Sequence, residues 1–369
     1  NTVREAQEAW RQLRDLGIEA DLLHARFTRT DRNANEEALL DTLGSPKRVA
    51  EAGKMRPTRR VVVATQVIEQ SVDVDFDAML SDLAPVDLLL QRAGRLWRHH
   101  RPATERHSHD SPRLAVLMPP ETERATLRFG PSAYVYDAET LARSAVLVTE
   151  NPAWSLPEAC RTLVADLYDG SWDHTRLGCD AEALEKARAK HRAEQDRMET
   201  QAKRTLVSPT TAAVPFVRQA RKDLGDADGF VHLGTRYESF RTAALVLCRT
   251  YKDGFAGLGL LKQLLVVPPE DDYPARLAAE EAVALSTVSF PWNRALSEAD
   301  LPEPLDAFAR WWAETHPYDD RRFVVLGTDD TCELEDAYVR YTRQEGLVIQ
   351  RERPTDLPSD HPLPEHHEF

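Results

Sequence analysis

The first third of this chain predicts an α/β fold with a largely parallel sheet. A long charged helix and a mixed α+β C-terminal part follow. Three observations carry this reading. Short apolar runs alternate with amphipathic helical stretches in the first third, the pattern of strand-helix units. Asp180 to Arg204 is charged in both signs and free of Gly and Pro. Past residue 240, the strand-like segments become more frequent.

The elements follow in order. Thr2 to Leu16 places Val3, Ala6, Ala9 or Trp10, Leu13 and Leu16 at helical spacing, and Gly17 ends the helix. Ala20 to Leu23 is a short apolar strand. Asp31 to Leu43 is a second helix, with Thr30 or Asp31 as N-cap. Arg60 to Ala64 is a β-branched run and reads as a buried parallel strand. Ala78 to Ala84 is a strand, Val86 to Trp97 a helix and Arg113 to Met118 a further strand. Asp137 to Tyr168 is mostly helical, and Asp180 to Arg204 is a long solvent-bridging helix. In the C-terminal part, Thr242 to Thr250 and Leu264 to Val267 are strand candidates. Ala275 to Leu285 and Leu305 to Ala313 are helices, and Trp311-Trp312 is core or interdomain packing. Tyr338 to Ile349 reads as a hairpin turning near Gln344-Glu345-Gly346, and Pro354 to Phe369 as a loose tail.

Composition narrows the function. The chain has 369 residues, enough for two or three domains at about 100–200 residues each. No apolar run reaches the roughly 18 residues of a membrane span, so no membrane partner is expected. Four dispersed cysteines without a CxxC pair argue against zinc ribbons and disulfide frameworks, and for a reducing, cytoplasmic compartment. The net charge of −14 argues against a protein coated in nucleic acid but allows a local basic channel.

The sharpest local signal is Gln91-Arg92-Ala93-Gly94-Arg95-Leu96-Trp97-Arg98. On a helix, Gln91, Arg95 and Arg98 stand at i, i+4 and i+7 and share one face. Gly94 would let a ligand or another backbone approach beside Arg95. Two guanidiniums projected together suit a polyphosphate, because each planar fork binds phosphate oxygens bidentately. The same pattern also fits a basic amphipathic surface helix. Upstream, the Arg60 to Ala64 strand runs into Thr65-Gln66-Val67-Ile68-Glu69-Gln70-Ser71-Val72-Asp73-Val74-Asp75. Ligands of open α/β sheets bind outside the carboxyl ends of strands, where this polar loop lies. A calcium loop starting at Asp73 is excluded, because it would need Gly and Glu where Ala78 and Ala84 stand. His99, His100, His107 and His109 lack nearby cysteines, so no metal site is expected. Arg236, Tyr237, Phe240, Arg241, Arg249 and Tyr251 mix aromatic and basic character. That mixture suits a single nucleic-acid strand or a half-buried sheet.

Val61 to Asp73 resembles motif V of superfamily-two helicases, and Gln91 to Arg98 matches their motif VI, Q-x-x-G-R-x-x-R. The wording ATQVIEQSVDVDFD followed by LLLQRAGRLWRH more specifically resembles the CRISPR-associated helicase-nuclease of type I systems. Leu22 to Arg32 resembles that family's segment between motifs IV and V, and Asn1-Thr2-Val3 the end of motif IV. The resemblance covers roughly the first hundred residues. It implies a second RecA-like domain over residues 1–178 with a helical extension, a linker helix over 179–207 and a C-terminal domain over 208–369.

By the same resemblance, Arg95 and Arg98 are arginine fingers and Gln91 senses the γ-phosphate and attacking water. Asp73 contacts the ribose, Thr65 the nucleic-acid backbone, and Gln70 couples the two sites. Arg92 is left to stacking or structural pairing. The sequence carries no G-x-x-x-x-G-K-[ST] loop, no DExH box in a suitable strand context and no HD nuclease signature. The expectation is therefore the C-terminal half of an ATP-dependent single-stranded DNA translocase. It would be inactive alone and would act with an upstream RecA-like and HD nuclease portion. ATP with magnesium would be bound mainly upstream, and the HD nuclease would take its own divalent metal. The implied partners are single-stranded DNA and an RNA-guided surveillance complex. Two other readings stay open: another superfamily-two motor, such as an RNA helicase, and a non-enzymatic module that binds nucleotide or a partner.

Overall fold

A computed structural model describes residues 1–69, 73–106, 111–169, 171–205, 242–260, 263–291, 301–316, 319, 321–334 and 337–350. The chain divides into two compact units. One comprises residues 1–25 and 32–239, the other 26–31 and 240–369. The fold is mixed α/β with parallel strand pairs, as the alternation predicts.

In the first unit, α1 (Val3–Asp15) starts at a capping box: Thr2 Oγ1 accepts from the Glu5 N–H while the Glu5 carboxylate accepts from the Thr2 N–H. Gly17, at φ 73°, ends it. The strand β1 (Ala20–Leu23) lies parallel to β2 (Val61–Ala64), with Leu23 opposite Ala64. Between them come α2 (Arg29–Leu43) and the short α3 (Pro46–Glu51). Thr28 caps α2 in place of the expected Thr30 or Asp31, its Oγ1 accepting from the Asp31 N–H at 3.2 Å. The β2 strand is half-buried along its length rather than fully buried. Leu23, Leu39, Leu43, Ile68 and Val74 form the core beneath this pair.

A second parallel pair joins β3 (Ala78–Asp82) to β4 (Arg113–Leu117). Its connection contains α4 (Val86–Ala93), which buries Val86, Leu89, Leu90 and Arg92. Helices α5 (Glu121–Ala125), α6 (Ala138–Glu150), α7 (Glu158–Tyr168), α8 (His174–Leu177) and α9 (Ala181–Thr205) follow. Leu90, Leu141, Leu147, Leu167, Trp172 and Leu184 share one larger core. The charged α9 forms as predicted, tied at its start by Leu184 in that core and by Arg188.

The second unit is built on β5 (Thr242–Tyr251). It pairs antiparallel with β6 (Gly254–Gly257) and β7 (Thr287–Pro291), and parallel with β8 (Arg322–Val325). Both its faces are covered. Leu245 and Leu247 enter one core, while Val246 and Cys248 enter the other with Phe308, Trp312 and Phe323. That two-sided burial follows from the period of two along a strand. The helices Tyr273–Ser286 and Leu305–Thr315 form where predicted. Gly259 permits the close approach of the first, since a Cβ there would sit 2.4 Å from the Leu285 carbonyl. The expected strand at Leu264 reduces to one bridge with Ala256.

A meander of β9 (Thr331–Leu334), β10 (Ala337–Thr342) and β11 (Gly346–Gln350) completes this unit and contains the predicted hairpin. Segment 26–31 belongs to this unit: the Leu347 N–H donates to the Arg26 carbonyl at 2.7 Å. The Tyr341 hydroxyl donates to Asp31 at 2.6 Å and accepts from the Thr28 N–H at 3.0 Å.

Candidate functional site

The candidate site lies in the first unit, past the carboxyl end of β2. Thr65 is buried, and its N–H donates to the Leu23 carbonyl at the end of β1. One turn of 3₁₀ helix, Gln66–Ile68, follows. Gln70 lies outside the described residues, as do His107, His109, Arg236, Tyr237, Phe240, Arg241 and the tail from Pro354.

The motif VI residues do not share one helical face. Helix α4 ends at Ala93, with Gly94 as its C-cap at φ −64°. The chain then leaves the helix to pair with the acidic segment: Phe76 N–H donates to the Arg95 carbonyl at 2.9 Å, and Trp97 N–H to the Phe76 carbonyl at 3.0 Å. Backbone pairing outcompetes another helical turn, so the i, i+4, i+7 argument fails beyond Ala93. Gln91 is exposed on the last turn of α4. Gly94 is not demanded by a close approach either. A Cβ there would meet only the Gln91 and Leu90 carbonyls, at 3.4 and 3.5 Å.

Tertiary structure brings Asp73, Arg95 and Arg98 into electrostatic reach of one another. Arg95 is half-buried and donates through Nε to the Ile68 carbonyl at 3.1 Å and through Nη2 to the Glu69 carbonyl at 2.6 Å. Its Nη1 has no hydrogen-bond partner among the described residues. Burial and the neighbouring Arg98 hold the Arg95 guanidinium below its ordinary pKa, with Asp73 opposing. Arg98 is more open, its side chain 40% exposed, and its Nε donates to Asp73 Oδ1 at 2.5 Å. His99 Nε2 lies 3.2 Å from the same oxygen. Burial alone would raise the Asp73 carboxyl, but Arg98 and His99 hold it below the usual range.

Arg92 takes the opposite role and is enclosed. It donates to Glu69 Oε1 through Nε at 2.8 Å and Nη2 at 2.6 Å, and to Ser81 through Nη1 at 2.7 Å. The Arg92 and Glu69 side chains are only 8% and 3% exposed. Tyr136 accepts from Arg92 and from Gln66. Burial pushes the Glu69 carboxyl up while Arg92 pulls it down, and the net shift is upward. Burial likewise raises the Tyr136 phenol. Two arginines of one motif thus hold the 3₁₀ turn of the other, Arg92 through a side chain and Arg95 through carbonyls.

Sequence reasoning missed a further cluster. Asp75 is fully buried. It accepts from Arg101 Nε at 2.6 Å and from Arg106 Nη1 and Nη2 at 3.0 and 2.9 Å. Arg106 also pairs with Asp77 at 3.0 Å, and Arg56 pairs with Asp77 from the other side. A legible signal was present. The apolar Val74 and Phe76 alternate with Asp73, Asp75 and Asp77, so an extended segment separates acids from apolar side chains. Among the described residues, no group of three or more His, Cys, Asp or Glu is placed to hold a metal ion.

Comparisons with known proteins agree on one family. A family model described as CRISPR-associated nuclease/helicase Cas3, C-terminal, matches residues 1–101. The CRISPR-associated nuclease/helicase Cas3 of Streptococcus thermophilus is 43% identical over 109 residues, 29% of this chain and 11% of that protein. A solved structure of T. fusca Cas3 with ADP superposes with a TM-score of 0.67 at 27% identity, over 94% of this chain and 38% of that one. A chain in a CRISPR RNA-guided surveillance complex, described as pre-nicking, gives 0.66 at 25% identity over 94% of this chain and 40% of that one. The chain is similar to the C-terminal part of Cas3 nuclease/helicases and spans less than half the length of these relatives.

Proposed function

We propose that this chain is the second RecA-like domain, linker helix and C-terminal domain of an ATP-dependent single-stranded DNA translocase of the Cas3 kind. Within the complete enzyme it would contribute to unwinding and, with an HD nuclease, to degrading target DNA in type I CRISPR interference. The likeness to a structure of Cas3 with ADP supports nucleotide as ligand, and the likeness to a chain in a CRISPR RNA-guided surveillance complex supports an RNA-guided complex as partner.

The observation that carries the reading is the exposed Arg98–Asp73 pair beside Arg95, where motifs V and VI meet. Arg98 rests on a carboxylate, an anionic stand-in for a phosphate oxygen. Moving from one anion to another leaves neither state with an unpaired cation. Asp73, once released, becomes an acceptor for ribose hydroxyls. Arg95 keeps Nη1 available for the γ-phosphoryl while its other nitrogens hold the 3₁₀ turn. Gln91, on the exposed last turn of α4, would face the γ-phosphate and water. Thr65 would lie near the DNA backbone. The phosphate-cradling loop and the magnesium ligands would come from the other RecA-like domain, since this sequence has no phosphate loop.

The deciding experiment measures ATP hydrolysis, with single-stranded DNA and with RNA, for this chain alone and combined with a first RecA-like domain. Arg95→Ala and Arg98→Ala run beside it. The expected result is turnover only in the combination, preferring DNA, with each arginine variant losing about 10³-fold or more. An inert combination, or dispensable arginines, sinks the proposal. RNA preference would favour an RNA helicase.

A further inference from the structure

The structure assigns Asp75, clamped by Arg101 and Arg106, as the positioning residue for Arg98. The inference rests on the reading of Arg98 as a nucleotide-facing arginine and adds the device that aims it.

Asp75 Oδ1 accepts the backbone N–H of Arg98 at 3.0 Å. The carboxylate sits where the chain leaves motif VI, and it has no solvent exposure of its own. Its position is held from several directions. Its N–H donates to the Leu43 carbonyl at 2.8 Å, and its carbonyl accepts from Arg56 at 2.7 Å. Arg101 and Arg106, with side chains 2% and 3% exposed, grip both carboxylate oxygens. These two arginines are themselves held, Arg101 by the Gly44 carbonyl and Glu105, and Arg106 by Asp77 and the His99 carbonyl.

The backbone just before Arg98 needs such support. Trp97 has φ 48°, a left-handed conformation that an aromatic residue adopts only when its surroundings hold it. Its N–H and indole N–H donate to the Phe76 and Asp77 carbonyls, and the Arg106 guanidinium lies 4.9 Å from its ring. Among the described residues, the backbone N–H groups of Trp97 and Arg98 and the Trp97 ring are therefore held by the Asp75–Asp77 segment and by an arginine bound to it. The Arg98 side chain leaves this fixed backbone for Asp73, on the same acidic segment. If the clamp were lost, Arg98 would keep its charge but lose its aim. A purely structural cluster would instead lower stability without regard to what residue 98 is.

The test is a double-mutant cycle in the complete enzyme, reading DNA-stimulated ATP hydrolysis. Asp75→Asn should lower kcat about tenfold to a hundredfold. In an Arg98→Ala background the same change should do nothing further to kcat, because Asp75 acts through Arg98. Amide hydrogen exchange across Leu96–His99 should speed up in Asp75→Asn at temperatures where the fold is intact. If Asp75→Asn does not fold, Arg106→Lys, which keeps the charge and loses the fork, runs through the same cycle. A loss of about 10³-fold by Arg98→Ala, with Asp75→Asn lowering the residual kcat by the same factor as in the Arg98 background, overturns the inference and leaves the functional reading standing. An Arg98→Ala enzyme with unchanged turnover overturns both.

Discussion

Arg92 and Arg98 stand six positions apart in one motif, yet their surroundings differ sharply. Arg92 is enclosed with Glu69, Ser81 and Tyr136, whereas Arg98 faces solvent against a carboxylate. Burial separates their uses, because an enclosed guanidinium with all its bonds made holds structure and an exposed one can exchange partners. Removing one partner of a buried pair strands the other charge. Arg92→Ala should therefore destabilise the first unit by about 3–5 kcal/mol. Urea unfolding followed by tryptophan fluorescence would measure this, and a change below about 1 kcal/mol would contradict the assignment.

At the scale of elements, α9 is fastened near its start to α6. Arg188 donates to both Glu139 oxygens, at 3.0 and 2.8 Å, and to the Trp172 carbonyl at 2.6 Å. Arg143 donates to the same carboxylate. Burial alone would raise Glu139, but the two arginines overcome it and hold the carboxyl below its ordinary value of about 4.5. A depressed folded pKa stabilises above the unfolded value, and that contribution is lost as pH falls through the folded one. The melting temperature should therefore fall on the acid side of pH 4.5, and Glu139→Gln should flatten this fall. The same substitution should cost about 1–3 kcal/mol at neutral pH. Parallel thermal melts of both proteins between about pH 3 and 7 test this, and identical acid slopes would refute it.

For the whole molecule, the tension lies between a net charge of −14 and a proposed DNA track. The two are compatible if DNA is gripped only along a local basic path, with long-range repulsion elsewhere. ATP hydrolysis and unwinding by the complete enzyme should then weaken steeply with salt. A flat response between about 50 and 200 mM would argue against contacts made mainly through phosphates. The chain also crosses between its units early, since residues 26–31 belong to the C-terminal unit and the stretches on either side to the first. The sequence carries no punctuation at that crossing. It is created by Tyr341 and Leu347, more than three hundred residues downstream.

Local chemistry made much of this protein legible from its sequence. Helical spacing with Gly17 marked α1, and the Gly- and Pro-free charged run marked α9. The two motifs marked where the candidate site was expected, because guanidinium forks and a strand-end carboxylate are residue types that suit phosphate and ribose. Tertiary structure decided what periodicity could not. Helix α4 stops at Ala93 because residues 95–97 find backbone partners at Phe76, a non-local pairing invisible to a helical wheel. Asp75 looked like one acid among three, and became a fully buried anchor only when Arg101 and Arg106 folded onto it. Spacing along the chain records which groups can share a face. Whether an arginine ends up enclosed or poised depends on what the rest of the chain brings against it.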